Sequence, residues 1–574
     1  MTLTQLFIFF LVIQVIHGLG TWKLYIKAGR HAWEAFIPVY NAVVLMKIIN
    51  RPWYLTIFLF LPIVNLIMFP VIWVETARSF GKNKSLDTVL AIFTLGFYNY
   101  YLNYFLDVEH IKDRSLQPRT GLGDWVSSIL FAIVAATIVH TYFIQPYTIP
   151  TSSLEKSLLV GDFLFVSKFH YGARVPMTAI AAPMVHDTIP VIKKKSYLFD
   201  DKNENSFFNK LALPYLRIPG LQKIKHNDIV VFSWPADSSY SMSVNNPDRK
   251  YNKPIDKKTN YVKRCVGLPG DSLKIIDSYV YINGKQNVLP DRAKLQFFYT
   301  VEIKNGIEQS FLKKYNITEY TGVYTLNREI WDDKRIQDYL AEKNAHLEEV
   351  YRDSTKVEII GGMSQEVFDR LKFSGTQNKI NVNLTEALAT TLKSDKNVVS
   401  INKQNFTKRD PGVFPHDPNY QWNATNFGSL YIPKAGATID LNLDVLPLYR
   451  RVIRDYENNI LQIKGNQIFI NGELANTYTF KQDYYWLMGD NRHNSLDARS
   501  WGFVPFDHVV GKPVFIWMSW NTNGVGFKNK IRWERLFTTV GGSGKPTSYF
   551  IPFLVLMAGL FGFNKWRKRK KAHA

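Results

Sequence analysis

Apolar residues gather into long runs near the two ends of this chain. Leu3 to Leu19 carries no acid, Lys or Arg, and His17 is its single titratable side chain. No basic residue precedes the run and no small-residue cleavage site follows it, so it reads as a retained anchor and not as a cleaved leader. A second run, Trp53 to Val74, has 22 residues, long enough to cross a bilayer. A third, Val89 to Phe105, is rich in Tyr and Phe. A fourth extends from Trp125 to Ile144 and a fifth from Tyr549 to Phe563, where Trp566 and its basic neighbours suit an interface.

Positive charges orient such runs. Lys23, Lys27, Arg30, Lys47 and Arg51 follow the first run, Lys112, Arg114 and Arg119 precede the fourth, and Lys565 to Lys571 follow the fifth. All are expected on the cytoplasmic side. The N-terminus and the long segment from Gln145 to about Thr547 are then outside. Arg78, Lys82 and Lys84 fall on the wrong side in this scheme, and a re-entrant third run would change the count.

The outer segment reads as β-rich. Asp228 to Trp234 is a β-branched and aromatic run. Ser278 to Asn283 and Gln467 to Ile470 each meet an Asn-Gly turn, a strong hairpin signal. Between these blocks the character changes, and Asn327 to Val350 and Ser364 to Leu371 carry helical spacing. No repeat or low-complexity segment is evident. The expected organisation is a membrane domain of about three spans over 1–122, an anchor over 123–144, a β-rich domain over 145–285 and 457–547, an inserted α+β subdomain over 286–456, and a last span with a basic tail over 548–574.

Composition adds two constraints. The formal charge of +22, beside so many apolar runs, fits an anionic membrane surface better than nucleic acid. The single cysteine, Cys265, rules out an internal disulfide and argues against a cysteine metal site.

Three blocks carry candidate chemistry. Directly after the fourth run stands Gln145-Pro-Tyr-Thr-Ile-Pro-Thr-Ser-Ser-Leu-Glu-Lys-Ser-Leu-Leu-Val-Gly-Asp162, with small hydroxyl residues beside a membrane surface. Serine needs a base to become a nucleophile, and no Gly-x-Ser-x-Gly elbow is present. A neutral lysine is the other means of activation. Lys263, in Tyr261-Val-Lys-Arg-Cys-Val-Gly-Leu-Pro-Gly-Asp271, follows apolar residues whose burial would disfavour its ammonium form. The third block, Met488 to Pro505, packs Asp490, Arg492, Asp497 and Arg499 between apolar flanks, the pattern of an ion network that holds a loop rigid.

In this order and after a membrane run, the three blocks resemble bacterial type I signal peptidase, a membrane-bound Ser–Lys dyad protease. The resemblance covers the fourth run to about Trp520, the insertion excepted. It implies a mainly β catalytic domain with transmembrane helices, and removal of signal peptides from exported preproteins after small residues of the Ala-x-Ala type at the outer face of the plasma membrane. By position, Ser153 is implied as nucleophile and Lys263 as general base. Thr151 matches the oxyanion-hole hydroxyl, Ser495 the serine that orients the lysine, and Asp497 and Arg499 a bracing pair, with Arg264 and Asp490 in support. Tyr147, Ile149, Pro150, Leu154, Leu158, Leu164, Tyr261 and Val262 match positions lining two shallow substrate pockets. Preprotein signal peptides and the lipid bilayer are the implied partners, and no cofactor, metal or nucleic acid is expected.

The chain departs from the family pattern at Ser152 (usually Gly), Leu154 (Met), Lys156 (Pro), His493 (an acid) and Asn227 (Gly). None removes a catalytic group, but Ser152 and His493 bear on efficiency. Two other readings fit less well: Ser153-Leu-Glu-Lys156 matches the Ser-x-x-Lys of penicillin-binding enzymes but lacks its companion motifs, and an impaired membrane scaffold would not need the retained hydroxyls and lysine. Cys265, His170 and His226 have no companions that would make them a nucleophile or metal ligands.

Overall fold

The computed structural model describes the chain except for residues 119, 201–202, 204, 238–252, 305, 316, 318–319, 344, 363–366, 368–369, 372–377, 523, 525 and 573–574. Most of the helical expectation at Ser364 to Leu371 lies outside the described residues.

The N-terminal module is helical. Helix α1 (Leu3–Lys27) opens with a capping box in which Thr2 and Gln5 satisfy each other's backbone N–H groups. Helix α6 (Gly121–Ile138) continues through a π-helical turn to Phe143. These two, α1 and the Gly121–Phe143 helix, are long and apolar enough to cross a membrane, and few residues of their apolar stretches are buried.

The second and third runs do not form single crossing helices. Trp53–Leu59 is a 3-10 helix, and it meets α3 (Val64–Ser79) at Pro62 and Ile63. Ile63 takes φ 70° and ψ −45°, a costly conformation for a β-branched residue, and this breaks the helix. The chain then turns back, because Arg51 before the 3-10 helix reaches Glu75 near the end of α3, 3.5 Å away. Helices α4 (Ser85–Phe93) and α5 (Tyr98–Tyr104) form a second reversal at Leu95 and Gly96, both with positive φ. A Cβ at Gly96 would stand 2.5 Å from the Trp73 indole, so the close approach requires glycine.

Arg51, Arg78 and Arg114 all converge on Glu75. Arg78, which the charge pattern sets apart, therefore lies beside Arg51 and Arg114 in the fold. A short repeat also emerges. Phe36-Ile37-Pro38-Val39-Tyr40-Asn41 leads into α2 (Tyr40–Ile48) as Phe60-Leu61-Pro62-Ile63-Val64-Asn65 leads into α3, each with a preceding 3-10 helix and a left-handed Val or Ile.

The larger domain is antiparallel β. Strands β1 (Ile144–Thr148), β2 (Asp162–Ser167), β3 (Ile229–Ser233) and β4 (Asn260–Gly267) belong to one eight-stranded sheet. Strand Val509–Ser519 lies between β2 and β3, and Tyr484–Met488 continues beyond β4. Among the described residues β1 pairs only with β2, which leaves its other edge free. Both Asn-Gly hairpins form, with positive φ at Asn283, Gly284, Asn471 and Gly472.

The insertion has its own six-stranded sheet from Gln296–Ile303 to Val398–Lys403. The helical expectation over Asn327 to Val350 holds for Arg328–Asp332 and Lys334–Glu342, but His346–Arg352 is a strand paired to Lys356–Gly362. The boundary drawn at 456 lies beyond this sheet. Phe427–Tyr431 pairs with Ser272–Ile276, and Leu446, Tyr449 and Val452 share a core with Trp486 and Phe503.

Candidate active site

The Ser153 turn is held between two elements. Ile149 N–H donates to Asp162 O and Ile149 O accepts the Gly161 N–H, which ties the end of β1 to the start of β2. Ser152–Leu154 then forms one 3-10 turn, and Leu154 is buried beneath it. From above, the Asn491 amide N–H donates to Ser153 O at 3.1 Å and its side chain donates to Ser152 O at 3.2 Å. Gly489 makes this approach possible, since a Cβ there would stand 2.2 Å from Ser495 Oγ and 2.6 Å from Ser153 O.

Lys263 projects from β4 toward the same point. Its Nζ lies 2.5 Å from Ser153 Oγ, and the residue is only 4% exposed. Two residues earlier on the strand, Tyr261 presents its ring 5.6 Å from the amine and is itself stacked on Trp234 at 5.1 Å. Burial pushes the lysine down to about 8, against the pull of Asp497. The ordinary value is near 10.4, so burial brings the neutral amine within reach of mild alkaline pH.

The neighbouring charges are fixed in pairs. Arg264 donates to both Asp490 oxygens at 2.7 and 2.6 Å, and Arg499 donates to both Asp497 oxygens at 2.9 and 2.8 Å. Burial would raise the Asp497 carboxyl, but the Arg499 guanidinium overrides it and holds the group below the usual carboxylate range. Asp497 also accepts the Gly489 N–H, so this pair sets the backbone that approaches Ser153. Such bidentate contacts specify geometry as well as charge.

The remaining expected residues divide. Thr151 is exposed at the head of the Ser153 turn, with no hydrogen bond capping it. Ser495 Oγ is buried with no hydrogen-bond partner among the described residues, so the expected contact to the lysine amine is not made here. Ile149, Leu154, Leu158 and Leu164 are buried in one cluster, on which Tyr147 and Val262 pack. Tyr261 packs in the adjoining cluster, and Pro150 is exposed. Cys265 is buried and its thiol is pushed well up by that burial, which suits packing and not nucleophilic attack. Among the described residues no cluster of His, Cys, Asp and Glu could hold a metal ion.

The sequence reasoning missed how the insertion braces this site. Gln296 N–H donates to Asp490 O, and Arg492 N–H donates to Gln296 O. His493 accepts the Phe298 N–H at Nδ1 and bonds Ser278 through Nε2. Burial and then Arg499 push this imidazole down to about 3. A neutral ring can accept an N–H bond as an acid does without adding charge, which accounts for histidine at this position. Asn227, as its residue type allows, is left-handed at φ 69°, and Lys156 shares that conformation at φ 66°.

Comparison with known proteins bears on both modules. Residues 33–113 match a family of unknown function (DUF5684). Residues 122–320 and 438–520 match the family described as signal peptidase, peptidase S26. Signal peptidase I of Buchnera aphidicola subsp. Acyrthosiphon pisum is 22% identical over 412 residues, covering 72% of this chain and 80% of that protein. Signal peptidase I of Rickettsia massiliae is 26% identical over 173 residues, covering 30% of this chain and 47% of that protein. The β-rich part of this chain, with the helix that leads into it, belongs to the signal peptidase S26 family and is a serine endopeptidase.

Proposed function

We propose that this protein removes signal peptides from exported preproteins at the outer face of the plasma membrane, with Ser153 as nucleophile and Lys263 as general base. The observation that carries the reading is the 2.5 Å separation of Lys263 Nζ and Ser153 Oγ at a buried site. The neutral amine takes the serine proton as Oγ attacks the scissile carbonyl. The ammonium then gives that proton to the leaving amine, and an acyl-enzyme remains. The amine next accepts a proton from the water that attacks the ester and returns it to Ser153 Oγ as the serine leaves, which frees the product acid and restores the neutral amine. The Thr151 hydroxyl and the Ser153 N–H are placed in the reading as donors to the developing oxyanion. Ser495 would join when the amine turns after proton transfer.

Substrate enters extended. The free edge of β1 and the facing β4 offer backbone partners to a peptide at the membrane surface. Tyr147, Pro150, Tyr261 and Val262 wall shallow pockets over a floor of Ile149, Leu154, Leu158 and Leu164, which favours Ala-sized side chains. The membrane arrangement has α1 and the Gly121–Phe143 helix crossing, two re-entrant hairpins between them, and the Phe550–Ala572 helix returning a basic tail to the cytoplasm. Supporting it, the Met1 amine at the start of α1 donates to Ala212 O of the β-rich domain, while Arg51, Arg78 and Arg114 meet elsewhere at Glu75. We assign 1–122 and 123–144 to the membrane, 145–285 and 457–547 to catalysis, 286–456 to the bracing insertion, whose last part from Phe427 onward packs with the catalytic strands, and 548–574 to the terminal span and tail.

The test is cleavage of a preprotein with an Ala-x-Ala site by the detergent-solubilised full chain beside Ser153→Ala. Cleavage after the second Ala by the first and not the second is expected. Equal cleavage by both would overturn the assignment.

A further inference from the structure

A second polar centre lies away from Ser153. An open cavity of about 100 Å³ is bounded by Ile63 at the tip of the first re-entrant hairpin, by His140 and Thr141 in the last turn of the Gly121–Phe143 helix, and by Gln145 and Tyr147 of β1. Its other wall belongs to the β-rich domain and contributes Lys168, Arg174, His186 and Lys257. Asp256 is the one acid among the described lining residues, and its oxygens are already engaged by the Met177 and Thr178 N–H groups and the Thr178 hydroxyl.

None of these cations makes a direct ion pair among the described residues; Asp256 and Asp507 act on Arg174, and Asp256 and Asp187 on Lys257, only from beyond ion-pair distance. Lys168 has no side-chain partner among the described residues, and burial beside Arg174 pushes its amine down to about 7. Arg174 donates to Asp507 O and Ser233 Oγ, both neutral acceptors. Lys257 reaches Val185 O at 3.4 Å and the face of Tyr197 at 5.1 Å. His186 meets the backbone oxygen of Lys258. Uncompensated buried charge is costly, and a bound anion would remove that cost. Arginine and lysine together suit a phosphate.

We propose that this cavity binds the phosphate of an anionic membrane phospholipid. The lipid source is favoured because Ile63, His140 and Thr141 all stand where membrane segments end. Acyl chains could thus remain in the bilayer while the headgroup enters. The cavity also touches the substrate strands: Asn260 of β4 donates to the Tyr147 hydroxyl of β1 at 3.3 Å. Headgroup binding would hold the two strands in register beside the membrane. The inference rests on the membrane reading of α1 and the Gly121–Phe143 helix, and not on the serine–lysine assignment.

The test is retention of phosphatidylglycerol and of phosphatidylcholine by the full-length protein in detergent, measured by native mass spectrometry, with Lys168→Met and Lys257→Met alongside. Preferential retention of phosphatidylglycerol is expected, weakened on the order of tenfold by either substitution, the loss of one charge-assisted contact. Lys168 makes no side-chain bond among the described residues, so its replacement should leave folding intact, which thermal unfolding of the variant checks. Equal retention of both lipids, or retention unchanged by both substitutions, would overturn the proposal. Displacement of phosphatidylglycerol by inorganic phosphate at equal concentration would assign the site to free phosphate instead. Displacement by a preprotein, in the inactive Ser153→Ala background, would assign it to substrate. Either result would also overturn the lipid proposal.

Discussion

Lys263 and Lys168 are both lysines that burial carries toward neutrality, to about 8 and about 7. They differ in what faces the amine. Lys263 meets a serine hydroxyl on a turn fixed from both sides, with Asp497 and Asp490 near enough to oppose its deprotonation. Lys168 meets open space and other cations. A lowered lysine therefore does not by itself mark a base. The partner within reach decides whether the neutral amine moves a proton or the charged amine awaits an anion.

The comparison can be broken most severely at the serine. Ser153→Ala should lower kcat by about 10³-fold or more in a preprotein cleavage assay, since the hydroxyl and its base act as a unit. Lys263→Met should cost roughly 10²- to 10⁴-fold, the span of general-base contributions. Its thermal unfolding should be unchanged or slightly improved, because no charge is then buried.

Smaller effects sharpen the account of the frame. Asp490→Asn strands the buried Arg264 guanidinium, and calorimetry should record a loss of about 3–5 kcal/mol. His493→Ala removes the acceptor of the Phe298 N–H, and denaturant titration should show about 1–2 kcal/mol lost. The histidine also has a pH signature. Its folded value is depressed to about 3 against an ordinary 6.5, so the unfolded chain takes the proton first and stability falls as pH drops through that window. In His493→Ala that part of the acid loss should vanish.

The catalytic blocks were legible because each is short and its chemistry is local. Tyr261 and Lys263 alternate onto one face of β4, and the dense acids and guanidiniums of Met488 to Pro505 do pair. The membrane module was less legible. Run length alone suggests that Trp53 to Val74 crosses, whereas Pro62 and a left-handed Ile63 turn it back. Phe427–Tyr431 was assigned to the insertion because its partner, Ser272–Ile276, is more than a hundred residues away. His493 could be read as a departure from a pattern but not as the joint to Phe298, since that contact exists only once the inserted sheet is folded.

The most direct measurement is the pH dependence of kcat/KM for preprotein cleavage by the full chain, beside Lys168→Met. With Lys263 as base, the rate should climb with pH and level off above about 8, where burial places the amine. The Lys168→Met profile should break at the same pH. A profile that breaks near 6.5, as a histidine would give, or a break that moves with Lys168, would contradict the assignment of Lys263.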